Sequence, residues 1–149
     1  NGEGKMSKSE NEMNTLYLAD ADELIEKKLK KAKTDQGPAE QGSPMPDYIQ
    51  NLFTLLELVS TPETVGFFKE QYNQSYEGHT VIRYGDLKKQ LAADMVKFIQ
   101  PIRQKTEAIL ADKAYLKKVM ATGKDKARAS ATATIHEVRK AVGVSYFSF

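Results

Sequence analysis

The segment Lys5–Ser9, with the sequence KMSKS, carries the residue types that bind phosphate. Its two lysines stand three residues apart with small hydroxyl side chains beside them, and Gly2 and Gly4 precede it. Ammonium groups neutralise phosphate charge, hydroxyls donate hydrogen bonds to phosphate oxygens, and glycine lets the backbone approach a ligand closely. The pattern favours a loop that wraps the phosphates of a nucleotide. Taken alone, it is also typical of a solvated, disordered N-terminus.

Composition narrows the class of protein only a little. The 149 residues include 22 Lys and Arg against 20 Asp and Glu, and a net charge of +2 neither requires nor excludes a nucleic-acid partner. The absence of cysteine excludes disulfides and thiolate metal sites. No apolar run approaches the roughly 20 residues of a membrane span. The chain opens on Asn1 without an initiator Met, so we expect it to be part of a larger protein.

Hydrophobic periodicity predicts an all-α fold. Several segments carry apolar residues at helical spacing, and none shows the alternation of a strand. We expect a flexible loop and linker at residues 1–19, followed by a helical domain at residues 20–149. That domain should be a bundle of about six helices.

Capping and breaking residues predict where these helices begin and end. Asp20 with Glu23 predicts a capping box for a first helix that ends near Lys33, and Thr61 with Pro62 predicts another start. A long helix from about Asp86 should be kinked at Pro101. A short helix around residues 115–120 should stop near Gly123, and a last one should span residues 124–141 with Gly143 as its stop.

Two groups of basic residues lie on predicted helices. Lysines 27, 28, 30 and 31 fit the solvated C-terminal turns of the first helix, where the helix dipole favours cations. On the last helix, Arg128 and Arg139 are eleven residues apart and point the same way. Lys124, Lys126 and Lys140 add charge nearby. These residues form either an RNA-contacting surface or a solvated charged face.

The order of motifs along the chain resembles one enzyme family. KMSKS is letter for letter the signature of class I aminoacyl-tRNA synthetases. Leu18-Ala19-Asp20, Thr34-Asp35, Tyr84-Gly85-Asp86-Leu87 and Pro101-Ile102-Arg103 follow it in sequence. Together they resemble the C-terminal part of the bacterial tryptophanyl-tRNA synthetases. The resemblance extends from about Gly4 to Gly143.

The resemblance implies an activity and a role for each residue of the loop. The parent enzyme would activate tryptophan with ATP and transfer it to tRNA(Trp). Lys5 and Lys8 would act in catalysis by neutralising the triphosphate, Lys8 at the pyrophosphate leaving group. Ser7 and Ser9 would hydrogen-bond phosphate oxygens, and the backbone of Met6 would lie against adenine. Mg²⁺ would be held chiefly by the ATP phosphates, since this chain offers no metal site.

The resemblance also implies binding partners and a second domain that this chain lacks. The helical region would bind the tRNA anticodon, with Lys124, Lys126, Arg128, Arg139 and Lys140 as the contacting residues. The tryptophan pocket and the HIGH-like motif would lie in a Rossmann domain that this chain lacks, so the chain alone should be inactive. The parent should be cytoplasmic, without membrane association, and homodimeric through that domain.

Two other interpretations fit the sequence. The chain could be the matching part of a tyrosyl or other class I synthetase, although no small β-rich domain follows the helices as in a typical tyrosyl enzyme. It could also be a non-enzymatic helical RNA-binding module in which KMSKS occurs by accident. A HIGH-like motif in a preceding Rossmann domain would distinguish the enzyme from the module.

Overall fold

Five α-helices account for most of the fold. The structure is a computed structural model that describes residues 12–144. The helices are α1 (Asp22–Lys30), α2 (Asp47–Val59), α3 (Pro62–Gln74), α4 (Tyr84–Ala111) and α5 (Lys113–Ala141), and a 3-10 turn at Glu12–Asn14 precedes them. The all-α prediction is confirmed, with five helices instead of about six. None of the described helices is long and apolar enough to cross a membrane.

The chain divides into two compact units, Asn1–Gln104 and Lys105–Phe149. In the first unit, α1 to α4 each turn an apolar side toward a common core, as their periodicity predicted. The core consists of Ile25, Leu29, Ile49, Leu52, Phe53, Leu56, Val65, Phe68, Tyr72, Ile82, Leu87, Leu91, Ala92, Met95 and Ile99. In the second unit, by contrast, no residue up to 144 is buried.

The start of α1 differs from the capping prediction. The helix begins at Asp22 with Ala21 as its N-cap, and no side chain caps it. The predicted cap, Asp20, instead accepts hydrogen bonds from the Tyr17 backbone N–H at 2.9 Å and from Lys28 Nζ at 2.7 Å. The capping box with Glu23 is therefore wrong, because a turn and an ion pair already use the Asp20 carboxylate.

The start of α3 follows its sequence signal. Thr61 accepts a hydrogen bond from the Thr64 backbone N–H, and Pro62 is the first helical residue. Just before it, the Ser60 hydroxyl donates to Asp94 Oδ2 at 2.7 Å, which ties the end of α2 to α4. Burial raises the pKa of the Asp94 carboxyl, but hydrogen bonds from Gln90, Ser60 and Lys97 outweigh it and hold the pKa below its usual range.

Of the predicted interruptions of the long helices, only the one at Gly123 is absent. As expected, α4 continues through Pro101. The predicted break near Gly123 is wrong, because α5 runs through this residue without interruption. A single interior glycine costs a helix only about 1 kcal/mol relative to alanine, too little to stop a helix formed on both sides. Gly143, with φ of 72°, ends α5 as predicted.

The two glycines should respond in opposite ways to alanine. Gly123→Ala should stabilise α5 by about 0.5–1 kcal/mol, because alanine is the better helix former and nothing lies within 4 Å of the added Cβ. Gly143→Ala should shorten the end of α5 at a cost of about 1–2 kcal/mol, since an L side chain disfavours its positive φ. Amide hydrogen exchange along residues 113–141 checks both. Faster exchange around residue 123 in Gly123→Ala would contradict the continuous helix.

Candidate functional site

The phosphate-binding signature itself lies outside the described residues. Lys5, Met6, Ser7, Lys8 and Ser9 all precede Glu12, where the description begins. The predicted flexibility of residues 1–11 likewise falls outside it. The structure does describe residues 12–20, here called the trailing segment, which lead from the signature to α1.

The trailing segment is more ordered than the predicted linker. Glu12–Asn14 form a 3-10 turn, and the Thr15 N–H donates to the Glu12 carbonyl at 3.3 Å. A second turn closes where the Asp20 N–H donates to the Tyr17 carbonyl at 3.1 Å. Thr15 and Asp20 are buried. Residues 12–19 form no α-helix, which agrees with a loop, but hydrogen-bonded turns and burial fix their backbone.

Lys28 of α1 is the main anchor of the trailing segment. Its Nζ donates to the Thr15 carbonyl at 2.8 Å and pairs with Asp20 Oδ2 at 2.7 Å, and it lies 4.8 Å from the centre of the Tyr17 ring. The Lys28 and Asp20 side chains are only 2% and 7% exposed. The interpretation of Lys28 as a solvated cation is wrong, since it is the internal partner of a buried carboxylate.

Arg103 of α4 holds the same segment from a second helix. Its guanidinium donates one hydrogen bond to the Asp20 carbonyl and another, at 2.6 Å, to Asp22 Oδ1 at the start of α1. The Arg103 side chain is 17% exposed. Two cations from different helices thus converge on one turn, a grouping that local sequence signals could not reveal.

The Thr34-Asp35 motif follows α1 in a second bonded loop. Lys88 of α4 donates to the Ala32 carbonyl at 2.7 Å and to Thr34 Oγ1 at 3.0 Å, and burial lowers the pKa of Lys88. The Asp35 carboxylate accepts from the Tyr48 hydroxyl at 3.1 Å and from the Gly37 N–H at 2.9 Å. The motif fastens this loop to α2 and α4.

Tyr84 places a buried hydroxyl near this loop. The hydroxyl makes no hydrogen bond of normal length within the described part of the chain, yet the Asp35 carboxylate is near enough to act on it. Burial first, and Asp35 second, raise the pKa of Tyr84 far above its ordinary value. The phenol therefore stays protonated in the folded protein.

Helix α5 concentrates positive charge. Among its 29 residues are eight Lys and Arg and two acidic residues, a net charge of +6 against +2 for the whole chain. At 100° per residue, five of these cations fall within about 80° of arc, and neither acid does. We call them the basic stripe: Lys113, Lys117, Lys124, Arg128 and Arg139. All but Arg139 are exposed, and Arg139 is partly buried.

Because α5 is continuous, only three of the five predicted tRNA-contacting residues lie on the same side of it. Lys124, Arg128 and Arg139 belong to the basic stripe, whereas Lys126 and Lys140 point elsewhere on α5. Sequence reasoning did not group Lys113 and Lys117 with these residues, because a break at Gly123 would have put them on another helix. The available signal was the spacing of eleven residues, which places Lys117 in line with Arg128 and Arg139.

No candidate metal site is present among residues 12–144. The described residues contain no group of three or more His, Cys, Asp or Glu side chains that could hold an ion.

Comparison with known proteins identifies the family. The family model of tRNA synthetases class I (W and Y) matches residues 1–100, two thirds of the chain, and includes the KMSKS segment. The chain belongs to this family.

Three relatives carry the name tryptophan–tRNA ligase. A tryptophan–tRNA ligase of Porphyromonas gingivalis is 47% identical over 142 residues, covering 95% of this chain and 41% of the relative. Proteins of the same name from Rickettsia prowazekii and Parasynechococcus marenigrum are 32% and 33% identical. They are covered over 42% and 40% of their lengths. The chain thus spans about two fifths of the curated relatives that it matches.

The buried phenol of Tyr84 should appear in the alkaline stability of the chain. Because its folded pKa is raised above the unfolded value of about 10, its contribution to stability is complete below that pH and is lost as the pH rises beyond it. Tyr84→Phe should therefore lose less unfolding free energy than the unaltered chain between about pH 9 and pH 11, measured by urea denaturation. Tyr115→Phe, at an exposed tyrosine, is the control. The same pH dependence in Tyr84→Phe as in the unaltered chain would contradict the assignment.

Proposed function

We propose that this chain is the part of a tryptophan–tRNA ligase that carries the ATP-phosphate loop and the tRNA-contacting helices. The full-length protein would form tryptophanyl-adenylate from tryptophan and ATP, then transfer the amino acid to tRNA(Trp). The observation that carries this proposal is 47% identity to a protein of that name across 95% of the chain. The intact KMSKS signature at residues 5–9 also supports it.

The chemistry proposed for the loop is electrostatic. When the α–β phosphate bond of ATP breaks, negative charge grows on the departing pyrophosphate, and fixed cations there lower the barrier. Lys5 and Lys8 supply these cations, with Lys8 at the leaving group. Ser7 and Ser9 donate hydrogen bonds to phosphate oxygens, and the Met6 backbone lies against adenine. Mg²⁺ arrives as part of the Mg–ATP substrate, because phosphate oxygens are its preferred ligands.

The remaining parts of the active site belong to sequence that this chain does not contain. The tryptophan pocket and the HIGH-like motif are proposed to lie in the portion of the relatives that the chain leaves unmatched. The proposed homodimer contact lies there too, and we place the enzyme in the cytoplasm. The 149-residue chain alone should therefore show no tryptophan-dependent ATP–pyrophosphate exchange.

Lys8→Ala in the full-length protein should separate catalysis from amino-acid binding. Exchange should slow by on the order of 10²–10³-fold while tryptophan binding changes little, because the lysine acts on charge that develops in the transition state. Steady-state exchange kinetics and equilibrium tryptophan binding measure the two. Lys69→Ala, at a surface lysine paired with Glu57, is the control. Exchange with tyrosine but not tryptophan would favour the tyrosyl alternative, which the family model also includes.

We propose that the basic stripe of α5 contacts tRNA phosphates. Five cations aligned along one side of a helix, with no acid among them, match the repeated negative charges of an RNA backbone. The alternative is a solvated charged face that contributes only to solubility. Salt dependence distinguishes the two, because phosphate contacts release condensed counterions and solvated side chains do not.

Two double variants with equal charge test this surface. Lys117→Ala/Arg128→Ala removes two cations of the stripe, and Lys126→Ala/Lys140→Ala removes two from elsewhere on α5. In the full-length protein, the first should weaken tRNA binding and flatten its salt dependence by up to about one unit for each phosphate that is no longer neutralised. The second should have a smaller effect. Equal effects of the two variants on affinity and salt slope would show that net charge alone matters.

A further inference from the structure

The anchor of the trailing segment acts mainly on its backbone. Lys28 donates to the carbonyl of Thr15 and Arg103 donates to the carbonyl of Asp20, so the two ends of a six-residue stretch are each held by a cation. Between them, the Tyr17 N–H donates to the Asp20 carboxylate, which also pairs with Lys28. The path of the main chain is therefore fixed by α1 and α4, independently of most side chains of the segment.

This anchor is stiff because it is buried. A charge removed from water is very costly unless it is paired and hydrogen-bonded, so neither Lys28 nor Asp20 can leave the arrangement without leaving the other as an unpaired buried charge. Counting backbone and side chain together, Lys28 is 5% and Asp20 7% exposed. Thr15, the first residue held, is only six positions after Ser9. The described structure thus holds a fixed point six positions after the phosphate-binding signature.

We propose that Lys28 and Arg103 are positioning residues for the ATP-dependent step. They would act through the backbone of the trailing segment, to which both donate hydrogen bonds. They fix the point from which the Lys5–Ser9 signature reaches the phosphates, and so set where Lys8 meets the departing pyrophosphate. Misplacing a catalytic group by about 1 Å can cost on the order of 10²-fold in rate. This inference rests on the proposed function and extends it to residues away from the reacting atoms.

The first test compares two lysines that each hold a loop beside α1 in the full-length protein. Lys28→Gln removes the anchor of the trailing segment. Lys88→Gln is the matched control, since Lys88 also donates two hydrogen bonds but only to Ala32 and Thr34, which follow α1 in the sequence, whereas the signature precedes it. Both variants should lower the melting temperature. Only Lys28→Gln should lower kcat for tryptophan-dependent ATP–pyrophosphate exchange, by on the order of 10–100-fold, with the KM for tryptophan almost unchanged.

A double-mutant cycle tests whether Lys28 acts through the signature. In a Lys8→Ala background, Lys28→Gln should slow exchange much less than it does in the unaltered protein, because the group that it positions is gone. Lys28→Arg, which keeps the cation, should recover part of the rate. Should Lys28→Gln fail to fold, Arg103→Gln decides the question, because Arg103 is less buried and its loss should give the same fall in kcat.

The outcomes distinguish a failure of the proposed function from a failure of this inference. If the unaltered full-length protein shows no tryptophan-dependent exchange, the proposed function is wrong. If that protein is active but Lys28→Gln and Lys88→Gln slow exchange equally, the inference is wrong and both lysines act only in stability. Additive effects of Lys28→Gln and Lys8→Ala, or an unchanged kcat in Arg103→Gln, would overturn it as well.

Discussion

The buried ion pair between Asp20 and Lys28 constrains the beginning of the described structure. Two charges withdrawn from water must satisfy each other, and this need takes precedence over the weaker local preference of an aspartate for a helix N-cap. As a result, α1 begins at Asp22 without a side-chain cap, and one lysine of its last turns points inward. The backbone between Thr15 and Asp20 takes its shape from the same pair.

Helix α4 completes this arrangement by holding both loops that flank α1. Arg103 donates to the backbone just before α1, and Lys88 donates to the backbone just after it. The two residues are fifteen positions apart, about 22 Å along a helix axis. These contacts on both sides of α1 explain why the helix is held at a definite position against its neighbours, although it has only nine residues. Backbone carbonyl groups at loops and helix ends lack a partner within a helix and need hydrogen-bond donors. Lys88 and Arg103 of α4 supply these donors as half-buried cations.

Local patterns predicted the helices and the core, whereas the anchor depended on distant contacts. The apolar positions of α2 and α3, such as Phe53 and Tyr72, were predictable because periodicity is a property of a single helix. Lys28 could not be distinguished from lysines 27, 30 and 31, because only the fold shows which of them meets Asp20. The predicted break at Gly123 was wrong because a lone glycine weakens a helix without ending it. The roles of Lys5 and Lys8 came from resemblance, and those residues lie outside the described part of the chain.

The distribution of charge indicates that the proposed ATP loop and the basic stripe of α5 differ in how strongly their binding depends on salt. Helix α5 carries +6 while the whole chain carries +2, so the remaining residues are net negative, at −4. A polyanion such as RNA would be attracted to α5 and repelled by the net charge of the remaining residues, which favours approach to α5 over a few tens of ångströms at low salt. ATP needs no such field, because two or three lysines at contact distance suffice for a small anion. Salt should therefore weaken the proposed tRNA binding far more than the proposed ATP binding, because a polyanion releases condensed counterions at each phosphate that the stripe contacts, whereas ATP is a small anion with few charges.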